Sequence, residues 1–217
     1  MSRPRPNLTR DRVLNAAVTL ADEAGIDALS MRKLGQTLGV EAMSLYKHVA
    51  NKDAVLDGIV EIVAGEIELP KLDGDWREAM RRRATSAHGV LVRHPWATML
   101  IVSRPNVGPV MLRYVDSTLG CLRQAGFSLA LADHAWNAID SYIYGFTLQE
   151  LNFPFQPEEY AEVAEAYLPT IPAGDYPHLH ALSEEVISGG HSGLHEFGFG
   201  LDLILDGLER LRADPVA

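Results

Sequence analysis

The tightest constraint on this 217-residue chain lies at residues 29–52, LSMRKLGQTLGVEAMSLYKHVANK, where two short helical patterns bend around a glycine. Ser30 is a favourable N-cap, and Leu34 and Leu38, four residues apart, share one inward face. Gly35 has no Cβ and lets another helix come close. Gly39 stands where a left-handed residue ends the helix, and Val40 plugs the bend. A second helix is predicted over about 41–49, anchored inward by Leu45 and Val49. Ala42, Met43, Ser44, Tyr46, Lys47 and His48 are left for its outside. A helix with so few anchors is poor core material and suits contact with a DNA groove. Asn51 then caps a third helix that carries Lys52 in its first turn. A cation there opposes the helix dipole, and a phosphate partner would explain it. An ordinary helical hairpin with a solvated face is the alternative these residues leave open.

The flanks extend an all-α pattern. Thr9 caps a predicted helix to about Ala24, with Val13, Ala17, Leu20, Ala21 and Ala24 as its apolar stripe and Gly25 as its stop. Leu56, Ile59, Val60, Val63 and Ile67 give a second stripe over about 51–68, ended by Pro70. These elements place a helix-turn-helix unit at 1–52, a connecting helix at about 51–68, and a larger helical unit at 70–217.

LSMRKLGQTLGVEAMSLYKHVANKDAVLD resembles the DNA-binding domain of the TetR (tetracycline repressor) family of bacterial transcription regulators. The specific part is the Leu45-Tyr46 pair, His48 and Asn51-Lys52. GDWREAMRRRA, the Ser103–Pro105 run and AGFSLALADHAWNAIDSYIYG are similar, more weakly, to the ligand-binding and dimerising domain of the tetracycline-repressor subclass.

Charge fits a protein that offers one end to phosphate. Residues 1–52 hold eight Lys/Arg and five acids, a net of +3, so the remainder carries -13 of the total -10. Arg3 and Arg5 are expected to form a basic arm adding weak phosphate attraction. No signal-peptide pattern and no run near the ~18 apolar residues of a membrane span is present. Cys121 is the single cysteine, which excludes an intramolecular disulfide and suits a buried thiol in a reducing cytoplasm.

Beyond Pro70 further helices are expected. Asp75 and Glu78 form a capping pattern ahead of a face of Trp76, Met80, Ala84, Ala87 and Leu91. A short helix follows at Trp96–Ile101, and another helical segment runs over about 107–125. Ser128 caps the longest helix, reaching about Asn152, with Trp136, Ile139, Ile143 and Phe146 at helical spacing. Residues 153–157 and 169–177 are predicted breaks, and Ser192 is the predicted cap of the last helix. In that helix Phe197, Leu201, Ile204, Leu208 and Leu211 repeat at 4, 3, 4, 3, a seam suited to a partner helix. Phe199 and Leu203 lie on nearly the opposite side. A homodimer through this helix and the 128–152 helix is expected, as the resemblance also implies; a fully buried internal helix is the alternative.

A symmetric pair would set two recognition helices ~34–36 Å apart on double-stranded DNA, so a palindromic operator is expected. Tyr46, Lys47, His48 and Lys52 are assigned chiefly to phosphates, with Ser30 helping at the backbone, and Ser44 joins the contact set. Arg32, Ala42 and Met43 are the candidates for base edges. The resemblance implies a small-molecule effector bound in each C-terminal domain. Where the tetracycline repressor has a metal-ligating histidine this chain has Leu100, so tetracycline is not expected. The pocket lining is predicted as Arg83, Ala87, His88, Met99, Leu100, Trp136, Asn137, Asp140 and Tyr144, with the aromatics as walls and Asn137 and Asp140 as polar handles.

No catalytic motif, cofactor or metal is expected. His191 with His195 lacks a third ligand, His178-x-His180 is equally incomplete, and nucleotide, hydrolase and zinc-protease motifs are missing. The leading expectation is a ligand-responsive repressor. A helical small-molecule binder without useful DNA affinity is the alternative.

Overall fold

The computed structural model describes residues 7–71, 74–192 and 196–213, and those residues form eleven α-helices with no strand. The basic arm with Arg3 and Arg5, and His195, lie outside them. α1 (Arg10–Ala24) starts where Thr9 accepts the Arg12 backbone N–H and ends at Gly25, whose φ of 78° favours glycine. Val13, Ala17, Leu20 and Ala21 are buried as predicted. Ala24, in the last turn, is exposed instead.

α2 (Met31–Leu38) is capped by Ser30 accepting from Lys33 N, and Gly39 closes it in the left-handed region at φ 67°. A Cβ on Gly35 would sit 2.9 Å from the Val40 carbonyl oxygen and 3.2 Å from Ala42 N, so the bend requires glycine there. α3 (Ala42–Leu45) is shorter than the predicted 41–49. Its N-terminus has no side-chain cap, and His48 N bonds back three residues to Leu45 O at 2.8 Å, tightening the chain into turns. The winding still holds Leu45 and Val49 inside.

α4 (Lys52–Ala64) is capped by Asn51, whose side chain accepts from Ala54 N at 2.8 Å. It ends four residues before the predicted limit because Glu66 and Ile67 bond to carbonyls three residues back. Ile67 is nevertheless buried, completing the predicted stripe.

The body comprises α5 (Trp76–Arg93), α6 (Pro95–Ser103), α7 (Pro109–Gln124), α8 (Leu129–Leu151), α9 (Tyr160–Tyr167), α10 (Pro177–Ser188) and α11 (Phe197–Ala213). α5 packs on α6, α7, α8 and α11, and its face of Trp76, Met80, Ala84, Ala87 and Leu91 is buried. Asp75 caps it by accepting from Arg77 N. α9 and α10 pack on each other and contribute one buried side chain, Val186. They form an outlying hairpin.

The last helix reverses part of the expectation. It begins at Phe197, which puts its cap position at Glu196 and not Ser192. Leu201, Leu205 and Leu208 are buried in the protomer's own core, so the predicted partner-facing seam is the inward side. Gly200 allows this, because a Cβ there would run into the Tyr142 ring of α8. Phe197 is half-buried and stacks on His88 with centroids 4.4 Å apart. Ile204 lies at the margin, half-buried. Leu211 is exposed with Phe199 (69%) and Leu203 (58%) on the opposite side.

Three polar contacts tie the first four helices to the body. Asp22 of α1 accepts the Trp96 indole N–H at 2.7 Å and faces His94 Nδ1 at 2.8 Å. Arg104 donates from Nη2 to Asp57 at 2.8 Å and approaches Asp53 at 3.3 Å. Glu61 accepts the backbone N–H groups of Val110 and Met111 at 2.8 and 3.0 Å, where a carboxylate complements the start of α7.

Candidate nucleic-acid interface and effector cavity

α2 and α3 meet through Gly35 and turn one set of polar side chains outward. Met43 is 75% exposed and Tyr46 44%, and Arg32, Lys33, Lys47 and Lys52 are all exposed. None of those four cations makes an ion pair with a described residue. Ala42, Ser44 and His48 are half-buried at the edge of the same face. The Ser30 hydroxyl oxygen caps α2, which leaves its proton for an outside acceptor. Cations held in water beside a protruding apolar side chain can meet phosphates while Met43 reaches a groove floor. Lys33 and Gln36 of α2 share the exposure without having been singled out. Lys33 counts toward the basic head in the sequence, yet only the orientation of α2 shows it beside Arg32.

Within the body the predicted pocket residues fall into three groups. Arg83 and Asp140 are buried and paired, Nη2 to Oδ1 at 2.7 Å. Tyr114 accepts from Arg83 Nη1 at 2.5 Å, the Trp136 indole N–H donates to Asp140 Oδ2 at 2.8 Å, and Tyr144 donates to the same oxygen at 3.3 Å. Burial works against the Arg83 charge, but the Tyr114 and Asp140 oxygens outweigh it and raise its pKa. Burial also pushes the Tyr114 and Tyr144 hydroxyls well above their ordinary pKa, so both stay protonated as donors. This set is a polar cluster around a buried ion pair, with Trp136 and Tyr144 half-buried at its edge.

The second group is misplaced by the expectation. Asn137 is exposed and bonds back to Asp133 O at 2.9 Å on the outer side of α8, and Met99 is 54% exposed. In the protomer both side chains face outward, away from the Arg83–Asp140 pair. Ala87 is buried core and Leu100 half-buried against it.

His88 belongs to the third group, a box of rings with Tyr142, Phe146 and Phe197, centroids 4.4–5.7 Å apart. Beside it opens a cavity of about 1050 Å³ at the end of α8, lined by Phe146, Glu150, Phe153, Phe155, Gln156 and Tyr160 among others. None of those six had been assigned to the site. The aromatic density of Phe153–Phe155 was a usable signal, but Pro154 and Pro157 made the run look like a simple chain break.

Among the described residues no group of three or more His, Cys, Asp or Glu is placed to hold a metal. His180 Nδ1 meets the Ile171 carbonyl at 2.6 Å. No helix of the described residues is long and apolar enough to cross a membrane. Cys121 is a free, buried thiol whose pKa burial raises, which makes it a poor nucleophile.

Comparison with known proteins agrees with this geometry. The pattern described as bacterial regulatory proteins, tetR family, matches residues 13–59, and the tetracyclin repressor-like C-terminal domain matches residues 69–212. The chain is 35% identical to the HTH-type transcriptional repressor DrrR1 of Streptomyces coeruleorubidus, over 97% of this chain and 80% of that protein. It is 32% identical to the class D tetracycline repressor protein of Escherichia coli, over 93% and 89% respectively. The fold superposes on the TetR family protein ActR of Streptomyces coelicolor in complex with actinorhodin, with TM-score 0.81, 29% identity, and 96% and 100% of the two chains covered. Matched through both its helix-turn-helix and its body, the chain belongs to the TetR family of bacterial transcription regulators, which are not enzymes.

Proposed function

We propose that this regulator is a repressor that binds a palindromic operator as a homodimer and is released by a small molecule other than tetracycline. The observation that carries the reading is the set of exposed cations around Met43, on α2, in the turn after α3 and at the start of α4, none of them ion-paired with a described residue. Lys47, Lys52, Tyr46, His48 and Ser30 serve phosphates, while Arg32, Ala42 and Met43 face base edges with Ser44 beside them. The functional division falls near Pro70, with the head and connecting helix before it.

The dimer face is the outward side of α11, Phe199, Leu203 and Leu211, together with the outward Ala138, Ser141 and Gly145 of α8. Large apolar side chains exposed beside small ones suit a second copy of the same two helices, giving a four-helix contact across a two-fold axis. Gly198 and Gly207 support it, since a Cβ on either would meet nothing within the protomer. Release follows when an effector in the body shifts the heads through Asp22, Asp57 and Glu61. A coupling of ~1–3 kcal/mol would weaken operator binding about 5- to 150-fold. Leu100 supplies no ligand to a cation, which argues against a metal-chelated tetracycline.

A gel shift with the DNA upstream of the protein's own gene, run at two salt concentrations, tests the reading. A complex that weakens with salt is expected. A salt-insensitive or missing shift would favour a small-molecule binder without useful DNA affinity.

A further inference from the structure

We propose that the cavity at the end of α8 takes a flat aromatic cation, which deepens the effector reading above and rests on it. The cavity, about 1050 Å³, has the scale of sites that hold drug-sized ligands. Its walls are rings: Phe153 stacks on Tyr160 at 5.2 Å with planes 15° apart, Phe155 meets Phe153 edge-on at 5.9 Å, and Phe146 closes the inner side. Such walls select a planar partner by stacking, and their faces attract positive charge.

Among the described residues of the lining, Glu150 is the one charged side chain. Its Oε2 lies 3.0 Å from His88 Nε2. Partial burial lowers the His88 pKa against the opposing pull of Glu150, so the ring beside the carboxylate is disfavoured as a cation. The cavity also receives the negative end of the α8 dipole. The wider surroundings agree independently. Residues 124–209 contain fourteen Asp and Glu and no Lys or Arg; Asp140, Asp202, Asp206 and Glu209 pair with arginines of α5 and α11, and the other ten, Glu150 among them, meet no Lys or Arg among the described residues, which favours cations over anions there.

The test uses the full-length protein without DNA, titrated by fluorescence with three fused-ring probes: proflavine (cation), acridone (neutral) and anthracene carboxylate (anion). Proflavine is expected to bind at least about tenfold tighter than acridone, with the anion weakest. Glu150→Gln should cost proflavine roughly that tenfold and leave acridone nearly unchanged, whereas Phe146→Ala should weaken both. Equal or tighter binding of the anion, an equal loss of all probes in Glu150→Gln, or no binding of any probe would overturn the proposal. The gel shift is read separately. Proflavine binding by a protein that ignores DNA would sink the regulator reading and leave the ligand class standing, and DNA binding without proflavine binding would do the reverse.

Discussion

The head and the body of this molecule use most of their cations in different ways. In the head, Arg32, Lys33, Lys47 and Lys52 stand in water without a carboxylate partner. In the body, Arg77, Arg81, Arg82, Arg83, Arg93, Arg104 and Arg212 each meet an acid of the same chain, whereas Arg113 and Arg210 are exposed and make no ion pair with a described residue. Charge left unpaired costs little in water and is available to a polyanion, whereas charge paired internally contributes to structure or to nothing measurable. Net charge therefore says less about DNA binding than which cations remain unspent. A chain of -10 can still present a basic surface.

The sharpest way to break this contrast is in the body. Asp140→Ala strands the buried Arg83 guanidinium, whose Nε already has no hydrogen-bond partner among the described residues. Such a change should destabilise by about 3–5 kcal/mol in urea unfolding, while replacing Arg83 and Asp140 together by Met and Leu should recover most of it. A loss below about 1 kcal/mol for the single change would mean the pair is hydrated and the body's cations resemble the head's. Next in size, Gly35→Ala forces a Cβ against the Val40 carbonyl. A cost of about 1–3 kcal/mol is expected, with a larger fall in DNA affinity because α3 must shift.

Head substitutions should do the opposite, sparing stability to within about 0.5 kcal/mol while damaging binding. Arg32→Ala should lose about 1–3 kcal/mol of discrimination at particular base pairs. Lys52→Ala should weaken all sequences alike and reduce the slope of log affinity against log salt by roughly 0.9. Tyr46→Ala should also act uniformly, without the change in slope. Binding titrations over a set of operator variants at several salt concentrations separate these outcomes. Equal loss of discrimination from all three would erase the division between phosphate and base contacts.

Legibility in the sequence followed the same divide. Local rules placed Ser30, Gly35, Gly39, Asn51 and Ser128 correctly, because caps and left-handed glycines depend on neighbours within about four residues. They failed where tertiary contacts decide. Phe197, Leu201, Leu208 and Phe199, Leu203 are both apolar sets on one helix, and periodicity cannot say which meets its own core. Trp136, Asp140 and Tyr144 were rightly grouped with Arg83, but the hydrogen bonds that close them into a cluster run through Tyr114 of another helix. The cavity itself is built by a proline-bounded aromatic turn, whose path no short-range pattern specifies.

The smallest expected effect lies between the two regions. Arg104 pairs with acids of α4, Asp53 and Asp57, as Arg82 and Arg93 pair with Glu68 and Glu66 just beyond that helix, and both α4 carboxylates are largely exposed. The guanidinium pKa is raised chiefly by its hydrogen bond to Asp57, with burial working the other way. Solvent-exposed pairs contribute ~0–1 kcal/mol, so Arg104→Ala should scarcely change the unfolding midpoint. Its effect should appear instead in coupling. With one polar tie between α4 and the body removed, effector saturation should weaken DNA binding by a smaller factor than in the native protein, while affinity for each ligand alone changes little. Operator titrations with and without effector measure that factor. An unchanged factor would assign the coupling to Asp22 and Glu61, and a fall in stability beyond about 1 kcal/mol would show that Arg104 behaves as one more structural cation of the body.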